Sequence, residues 1–467
     1  MIPGIQASEL HAGRDIRVEQ HVEVAPPTAT ALHQLPPPPG DFTGRKREID
    51  EILSRIEKGT VISGLQGMGG VGKTALALVL AERLTERYRD AQFYLDLKGT
   101  SPQPLTPAQA MAHVIRAYSP EAKLPEEEAQ LSPLYHPVLH GHCAILLMDS
   151  ARDAAQVMPL LPPAGCLLLV TSRWHFTLPG LEARSLDTLS PAEARKLLLT
   201  IACRSAAAVG EPSGLPRERG ALPTADARTR AIIAHADEIA RLCDYLPLAL
   251  RAAASALKAK GDLDPADYTR WLNDARRRLE LQDPTKNQSV EASLALSYDL
   301  LGPDLQRRFA RLAAFPETFW VDGAAAVWEM GLDPARETLG ELVTHSLLEW
   351  NEAARRYKLH DLVRDFAHAR LTSVEGIEAE RRHAAHCLSV LWETDRLYKQ
   401  GGNAVKQAVD LFDREWANIQ AGQARAASRA GEDERAARLC SAYPDAGVYC
   451  LALRQHPRER IGGWRRR

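Results

Sequence analysis

One eight-residue segment constrains the fold of this 467-residue chain more than any other feature. Residues 67–74 read GMGGVGKT and match the pattern G-x-x-x-x-G-K-[ST] in full. An apolar run at Val61–Leu65 precedes the segment, and helix-spaced apolar residues follow it from Thr74 to Arg87. This strand–loop–helix order predicts a phosphate-binding loop (P-loop) in an α/β domain with a parallel sheet.

The residue types in this loop indicate its chemistry. Glycines allow backbone N–H groups to converge on phosphate oxygens at the positive end of a helix. Lys73 places a cation at the β- and γ-phosphates, and the Thr74 hydroxyl is a ligand for Mg²⁺. A glycine-rich turn without a ligand is the alternative, and the flanking strand and helix disfavour it. The residues predicted to hold the phosphates are Gly67, Met68, Gly69, Gly70, Val71, Gly72, Lys73 and Thr74.

Composition excludes several classes of protein. Lys and Arg number 58 and Asp and Glu 60, so a net charge of -2 argues against a strongly basic nucleic-acid-coating protein. Apolar runs such as Cys143–Met148 are far shorter than the roughly 18 residues of a membrane span. The N-terminal residues lack the pattern of a secretory signal, and the odd number of scattered cysteines, 7, suits a reducing compartment. A cytoplasmic protein without a membrane partner is therefore expected.

A carboxylate for the magnesium ion is predicted at the end of another strand. Apolar runs predict strands at residues 93–97, 145–148 and 167–170, with helices at 106–118 and 151–161 between them. Asp149 directly follows the strand at 145–148 and is the candidate for this role, although it could instead cap the next helix. Ser150 stands where many ATPases carry a second acid, and Asp153 is a candidate to compensate. With no obvious general base, slow hydrolysis is expected.

An arginine follows the next buried strand. Arg173 comes directly after residues 167–172, and the carboxyl edge of a parallel sheet faces the ligand crevice. Its guanidinium is suited to bidentate contact with a γ-phosphate, and a surface ion pair is the alternative.

The rest of the chain is predominantly helical. Helices are predicted near 231–242, 247–260, 289–301, 303–313, 322–330 and 334–345, and a hairpin near 347–359. Several helices followed by a hairpin are typical of a winged helix. Residues 205–229 suggest an inserted loop, and the C-terminal sequence is helical with a basic end. The predicted segments are an N-terminal extension with a Pro-rich linker (1–41), a P-loop domain (42–200), a helical domain (201–286), a winged-helix domain (287–372) and C-terminal helices (373–467).

Six segments occur in an order that identifies a family resemblance. They read FTGRKREIDEI from Phe42, GMGGVGKTALA from Gly67, ILLMDSARDAAQVMPLLP from Ile145, LLLVTSR from Leu167, CDYLPLAL from Cys243 and YKLHDLVRDFA from Tyr357. Together they resemble the NB-ARC (AP-ATPase) clade of STAND signal-transduction NTPases, and bacterial members most closely. The resemblance covers about residues 42–372. It implies a nucleotide-binding domain, a helical domain and a winged-helix domain closed around ADP.

The resemblance also implies roles for individual residues. The adenine contacts map to Phe42, Thr43, Gly44, Arg45 and Pro247, and the phosphate contacts continue to Ala75. Asp149 corresponds to the acid that holds magnesium, and Arg173 to the sensor arginine at the end of a strand. His360 corresponds to the histidine that reaches the β-phosphate of ADP. Two departures from the family's motifs are Tyr245 in place of Gly and Leu359 in place of Met. The Pro is retained in the first motif, and the second exchange is close in volume.

Two functions of different classes remain open from the sequence. The first is a switch that binds ADP in a closed state and ATP with Mg²⁺ in an open state that self-assembles or recruits a protein partner, with slow ATP hydrolysis at most. The second is a DNA-binding regulator that uses the winged helix. The candidate recognition helix at 334–345 offers Arg336 as its only cation beside Glu337 and Glu341, so a nucleic-acid partner is not favoured.

Overall fold

The computed structural model describes residues 32–59, 62–101, 104–120, 122, 124–125, 127–203, 227–282, 288–352 and 354–454. Several predictions concern segments outside these ranges: most of the N-terminal extension, most of the inserted loop at 205–229, and the basic C-terminal end.

A five-stranded parallel sheet forms the N-terminal part of the structure. Its strands are β1 (Ile62–Gln66), β2 (Ala91–Asp96), β3 (Ala144–Ala151), β4 (Leu167–Ser172) and β5 (Leu181–Ser185), in the order β2-β3-β4-β1-β5. Strands β1 and β4 are buried throughout, as near-continuous apolar runs covered on both faces should be. The four predicted strands are confirmed. The edge strand β5 was not predicted, because its sequence LEARS has no apolar run.

Helices cover both faces of the sheet. We call residues 32–203, which contain the sheet and these helices, the sheet unit. The helices are α1 (Lys46–Glu57), α2 (Lys73–Leu84), α3 (Pro107–Tyr118), α4 (Glu128–Leu139), α5 (Ala154–Val157) and α6 (Pro191–Ala202). The predicted helix at 151–161 is shorter than expected and only partly α-helical. Residue Ala151 still belongs to β3, and α5 gives way to a 3₁₀ turn at Met158–Leu160, where Pro159 cannot donate a helical hydrogen bond.

Helices form most of the rest of the described chain. The helical unit (residues 227–282) contains α7 (Ala227–Leu242), α8 (Pro247–Ala259) and α9 (Pro265–Gln282). The hairpin unit (residues 288–372) contains α10 (Gln288–Asp299), α11 (Pro303–Arg311), α12 (Val321–Trp328), α13 (Leu332–Thr344), β6 (Glu349–Asn351), β7 (Arg356–Lys358) and α14 (Asp361–His368). The C-terminal helices are α15 (Ser373–Gln400), α16 (Asn403–Arg429), α17 (Glu434–Ala446) and α18 (Val448–Arg454).

One apolar core joins three of these parts. It includes Leu76 of α2, Leu250 of α8 and Phe309 of α11, each fully buried. The C-terminal helices have a further core around Leu391 and Phe412. Because the sheet, helical and hairpin units share one core, they pack together around the P-loop in this structure.

The Pro-rich segment before residue 42 contacts both the sheet and the helical unit. His33 forms a parallel bridge with Gln92 of β2, and the Gln34 N–H donates to the Gln92 carbonyl at 2.8 Å. Further along, Asp41 forms an ion pair with Arg251 of α8. His33 and Gln34 therefore pair with the edge strand β2 at Gln92, while Asp41 contacts the helical unit.

Candidate nucleotide-binding site

The glycine-rich loop lies between β1 and α2, where the sequence places it. Gly67, Gly70 and Gly72 have φ angles of 141°, 78° and 94°, a region that side chains rarely adopt. A Cβ at Gly67 would lie 2.8 Å from the carbonyl oxygen of Leu186. Glycine is required here by both conformation and space. The loop thus brings its backbone close to the N-terminus of α2, which is the arrangement that binds phosphate.

Lys73 is the first residue of α2, and its ammonium lies inside the loop. Its Nζ donates to the carbonyl oxygens of Gly67 and Met68, both at 2.8 Å. Burial, with the nearby Arg173 guanidinium, lowers the pKa of Lys73 to about 8, while Asp149 acts in the opposite direction. A phosphate anion in the loop would stabilise this buried cation.

Nucleotide affinity should therefore depend on pH above about 8. Phosphate binding favours the protonated form of Lys73. At pH values where Lys73 is neutral in the free protein, binding therefore takes up a proton. We expect a constant affinity below the pKa of free Lys73 and a fall of up to about tenfold per pH unit above it. Titration calorimetry with ADP from pH 7 to 10 measures this dependence. In the Lys73→Arg variant the side chain stays charged, so the alkaline fall should disappear; a wild-type affinity that stays flat to pH 10 would contradict the assignment.

Asp149 lies beside Thr74 at the carboxyl end of the sheet. The Thr74 hydroxyl donates to Asp149 Oδ1 at 2.7 Å, and the carboxylate is 3 % exposed. Oxygen ligands of this kind, completed by phosphates and water, suit Mg²⁺. When bound, Mg²⁺ would neutralise phosphate charge next to Lys73.

The cap of the helix after β3 is a different residue. Asp153 accepts the Gln156 N–H at 2.9 Å and caps α5, so Asp149 is not the cap. Asp153, the candidate for a second acid, is exposed and uses one carboxylate oxygen in this cap. Ser150 has a φ of 53°, and the pairing of β3 with β4 shifts register between Met148 and Ala151. A bulge of this kind re-aims neighbouring side chains.

Arg173, at the end of β4, lies next to the loop. A Cβ on Gly69 would be 3.6 Å from its Cζ. Its Nη2 lies 3.4 Å from Asp361 Oδ2 of the hairpin unit, and both side chains are mostly buried. The ion pair that the sequence left as an alternative therefore exists, but it joins two units instead of lying on the surface.

The helical unit contacts the loop through the start of α8. Pro247 is the first residue of this helix, and its Cγ is 3.7 Å from the position of a Cβ on Gly72. The Leu248 N–H donates to the Gly70 carbonyl at 3.3 Å. A Cβ on Gly70 would lie only 3.1 Å from the Cβ of Leu248. The close approach of α8 is thus a second reason for glycine in the loop.

The hairpin unit contacts the loop through the segment around His360. His360 caps α14, with its Nδ1 accepting the Leu362 N–H at 3.2 Å, and Leu362 lies against Gly69. Burial lowers the pKa of His360 overall. The Glu349 and Asp361 carboxylates oppose this shift, and the Arg173 and Lys358 cations add to it. The imidazole is therefore neutral at pH 7. Because Nδ1 accepts a hydrogen bond, its proton is on Nε2, where it can be donated.

The segment predicted to contact adenine supports the loop from the other side. The Arg45 guanidinium is 4 % exposed and donates to the carbonyl oxygens of Val71 and Asp187 at 3.1 and 2.6 Å. The Arg45 N–H donates to Glu193 at 2.9 Å, and Gly44 lies against the same Glu193 side chain. The guanidinium, the backbone N–H and the carbonyl of Arg45 are therefore all bound within the protein, the carbonyl by the Ile49 N–H at 2.9 Å.

A set of charged residues beside the loop was not predicted. Asp96 ends β2 and pairs with Lys358 of β7 at 3.4 Å, while Lys98 pairs with Glu317 at 2.9 Å. The Thr100 hydroxyl donates to Asp361 at 3.1 Å. The rule that parallel strands direct their carboxyl ends to the ligand crevice could have identified Asp96, which lies in register with Asp149.

These charges perturb one another. Burial raises the pKa of Asp96 to about 6, with nearby carboxylates adding to the rise and Lys358 opposing it. Burial also acts to raise the pKa of Asp361, but Arg364 above all, with His360, Lys358 and Arg173, holds it at about 2. Asp361 is therefore ionised at neutral pH and available to Arg173.

Two classes of site are not found among the described residues. No three His, Cys, Asp or Glu side chains in these ranges form a cluster that could hold a metal by themselves. Within the same ranges, no helix combines the length and apolar character needed to cross a membrane.

Comparison with known proteins gives clear relatives, although no family model matches the chain. It is 37 % identical to the regulatory protein AfsR of Streptomyces coelicolor over 359 residues. This alignment covers 73 % of this chain and 34 % of that protein. It is 23 % identical over 361 residues to a disease resistance protein of Arabidopsis thaliana, covering 70 % of this chain and 34 % of that protein. The chain thus spans about one third of the length of these curated relatives.

Among solved structures, a STAND protein with a tetratricopeptide repeat sensor from Pyrococcus horikoshii aligns with a TM-score of 0.47 and 16 % identity. The alignment covers 90 % of this chain and 59 % of that chain.

Proposed function

We propose that this chain, which belongs to the bacterial NB-ARC-type STAND P-loop NTPases, is a nucleotide-dependent molecular switch. One observation carries the proposal: elements of the sheet, helical and hairpin units all meet at the P-loop. Leu248 binds the Gly70 carbonyl, Leu362 lies against Gly69, and Arg173 pairs with Asp361. A nucleotide in this loop lies where the three units join.

The Arg173–Asp361 pair suggests how ATP and ADP are distinguished. With ADP, Arg173 keeps its partner Asp361, and the hairpin unit stays docked in a closed state. With ATP, Arg173 exchanges Asp361 for the γ-phosphate, which carries more charge and accepts bidentate hydrogen bonds. Asp361 is then left without one of its cations, and the docked state is weakened. To move such an equilibrium from about 1:99 to 99:1 requires roughly 5.5 kcal/mol of differential binding.

His360 has the complementary role in the closed state. Its Nε2–H can donate to a β-phosphate, while its Nδ1 is held by the Leu362 N–H. The open state is proposed to self-assemble or to recruit a protein partner, in the cytoplasm, for signalling, regulation or defence.

Hydrolysis of ATP resets the switch slowly, if it occurs. Lys73 and Arg173 stabilise phosphate charge, and Thr74 and Asp149 hold Mg²⁺. Ser150 follows Asp149 and cannot act as a carboxylate base, so no strong activation of water is expected at this position.

A DNA-binding regulator is the second candidate, in which the hairpin unit is a winged helix. The observation that favours it is the relationship to the regulatory protein AfsR of Streptomyces coelicolor. The recognition-helix candidate α13 disfavours it, because Arg336 is paired with Asp333 at 3.3 Å and Glu337 and Glu341 add negative charge. Salt-dependent DNA binding that is lost in the Arg336→Ala variant would support this alternative.

The switch is tested first by the nucleotide that the protein carries. We expect wild type purified without added nucleotide to release close to one ADP per chain on denaturation, measured by ion-pair chromatography. The Lys73→Ala variant should release little, because the loop loses its only cation. Lys196→Ala, on α6, is the matched control and should retain ADP. A wild-type protein that is empty and binds neither added ADP nor ATP would contradict the proposal.

A further inference from the structure

The Asp149 carboxylate accepts three hydroxyl hydrogen bonds. Thr74 and Thr171 donate to Oδ1 at 2.7 and 2.5 Å, and Tyr94 donates to Oδ2 at 3.1 Å. Thr74 and Thr171 belong to segments that the sequence already associates with nucleotide binding. Tyr94 comes from the middle of β2, where the sequence predicts only a strand residue.

The two oxygens of this carboxylate have different surroundings. The Ser150 N–H donates to Thr171 Oγ1 at 2.9 Å. Thr171 therefore accepts with its oxygen, and its single hydroxyl proton is directed to Asp149 Oδ1. Thr74, the other donor to Oδ1, is also the residue predicted to bind Mg²⁺. Oδ2 is turned away from this pair, toward β2.

We propose that Tyr94 is a positioning residue for magnesium, holding Oδ2 of Asp149 so that Oδ1 faces Thr74 and the metal. This inference rests on the proposed function, since it assumes that Asp149 and Thr74 hold Mg²⁺ with a nucleotide. Carboxylates that bind metals are commonly oriented by a second hydrogen bond, and loss of that partner costs about 10- to 100-fold in metal affinity.

The position of Tyr94 in the sheet makes the contact rigid. Tyr94 lies in register with Leu147 of β3, two residues before Asp149, so one parallel ladder fixes the separation of the two side chains. Burial raises the pKa of Tyr94 well above its usual value, and the charge of Asp149 adds to the rise. The phenol therefore keeps the proton that it donates to Asp149 over the whole physiological range.

The Tyr94→Phe variant tests this role, because it removes one hydroxyl and leaves the ring. We would measure the Kd for ADP with Mg²⁺ and with EDTA, and the affinity for Mn²⁺ in the presence of ADP by electron paramagnetic resonance. We expect the metal affinity to fall by about 10- to 100-fold, while the Kd for ADP measured in EDTA stays unchanged. Tyr118→Phe is the control, since its buried hydroxyl has no hydrogen-bond partner within the described chain.

The outcomes separate this inference from the proposed function. If Tyr94→Phe weakened ADP binding equally with Mg²⁺ and with EDTA, Tyr94 would only stabilise the sheet. If the metal affinity were unchanged, Asp149 would need no second donor. Either result overturns this inference and leaves the proposed function standing. A wild-type protein that binds no nucleotide in either condition would overturn the proposed function and this inference with it.

Discussion

Replacing Glu317 by Lys should release the hairpin unit from the sheet unit. The wild-type Glu317 carboxylate lies 2.9 Å from Lys98 Nζ, and both side chains are about one-fifth exposed. Burial acts to raise the pKa of Glu317, but Lys98 and Lys358 lower it overall, so the carboxylate is charged and faces two cations. Reversal of its charge turns both attractions into repulsions. For one pair at 4 Å, the interaction is about 4 kcal/mol at an effective dielectric constant of 20.

Hydrogen exchange of backbone amides measures this release. Amides of residues 96–101 and of α14 should exchange at least tenfold faster in Glu317→Lys than in wild type. The double variant Lys98→Glu/Glu317→Lys restores the pair with its charges exchanged and should recover most of the protection. Protection equal to that of wild type in the single variant, or no recovery in the double variant, would show that this ion pair does not hold the two units together.

Replacing Arg356 while Glu415 stays in place should greatly lower the free energy of unfolding. The Arg356–Glu415 pair joins β7 to α16, and its side chains are 5 % and 6 % exposed. Arg356 also donates to Thr318 Oγ1 at 2.7 Å, and its guanidinium lies 4.6 Å from the centre of the Trp320 ring. In Arg356→Met, the buried Glu415 carboxylate loses its cation. Breaking a buried pair in this way typically costs about 3–5 kcal/mol.

Urea unfolding, followed by the fluorescence of Trp320 and its neighbours, measures the change in the free energy of unfolding. The double variant Arg356→Met/Glu415→Leu removes both charges and should be markedly more stable than Arg356→Met, since no unpaired ion remains. A loss below about 1 kcal/mol in the single variant would contradict the picture of a buried, fully paired arginine. Such a value is typical of surface pairs.

The sequence was most informative where local chemistry alone decides the structure. The P-loop needs glycines with positive φ between a strand and a helix, and that requirement is written in consecutive residues. The predicted strands at 145–148 and 167–170 are confirmed because strands covered on both faces need continuous apolar runs. Asp149 and Arg173 are then placed at the carboxyl edge of the sheet, Asp149 near the end of β3 and Arg173 directly after β4.

Contacts between distant parts of the chain were the ones missed. Asp96, Lys98, Glu317 and Lys358 are single charged residues near the ends of elements, and each has the sequence appearance of an ordinary solvated side chain. Their pairing depends on how the hairpin unit packs on the sheet unit, which no local periodicity encodes. The contact between Tyr94 and Asp149 was missed for a related reason, since it depends on the register of β2 with β3.

The central claim is that the bound nucleotide controls the docking of the hairpin unit on the P-loop. Hydrogen exchange of the protein saturated with ADP, compared with the protein saturated with Mg²⁺ and a non-hydrolysable ATP analogue, tests it most directly. We predict faster exchange with the ATP analogue in α14 and at residues 96–101, with Lys73→Ala showing no difference between the two nucleotides. Equal exchange in both complexes of the wild-type protein, with both nucleotides demonstrably bound, would contradict the claim.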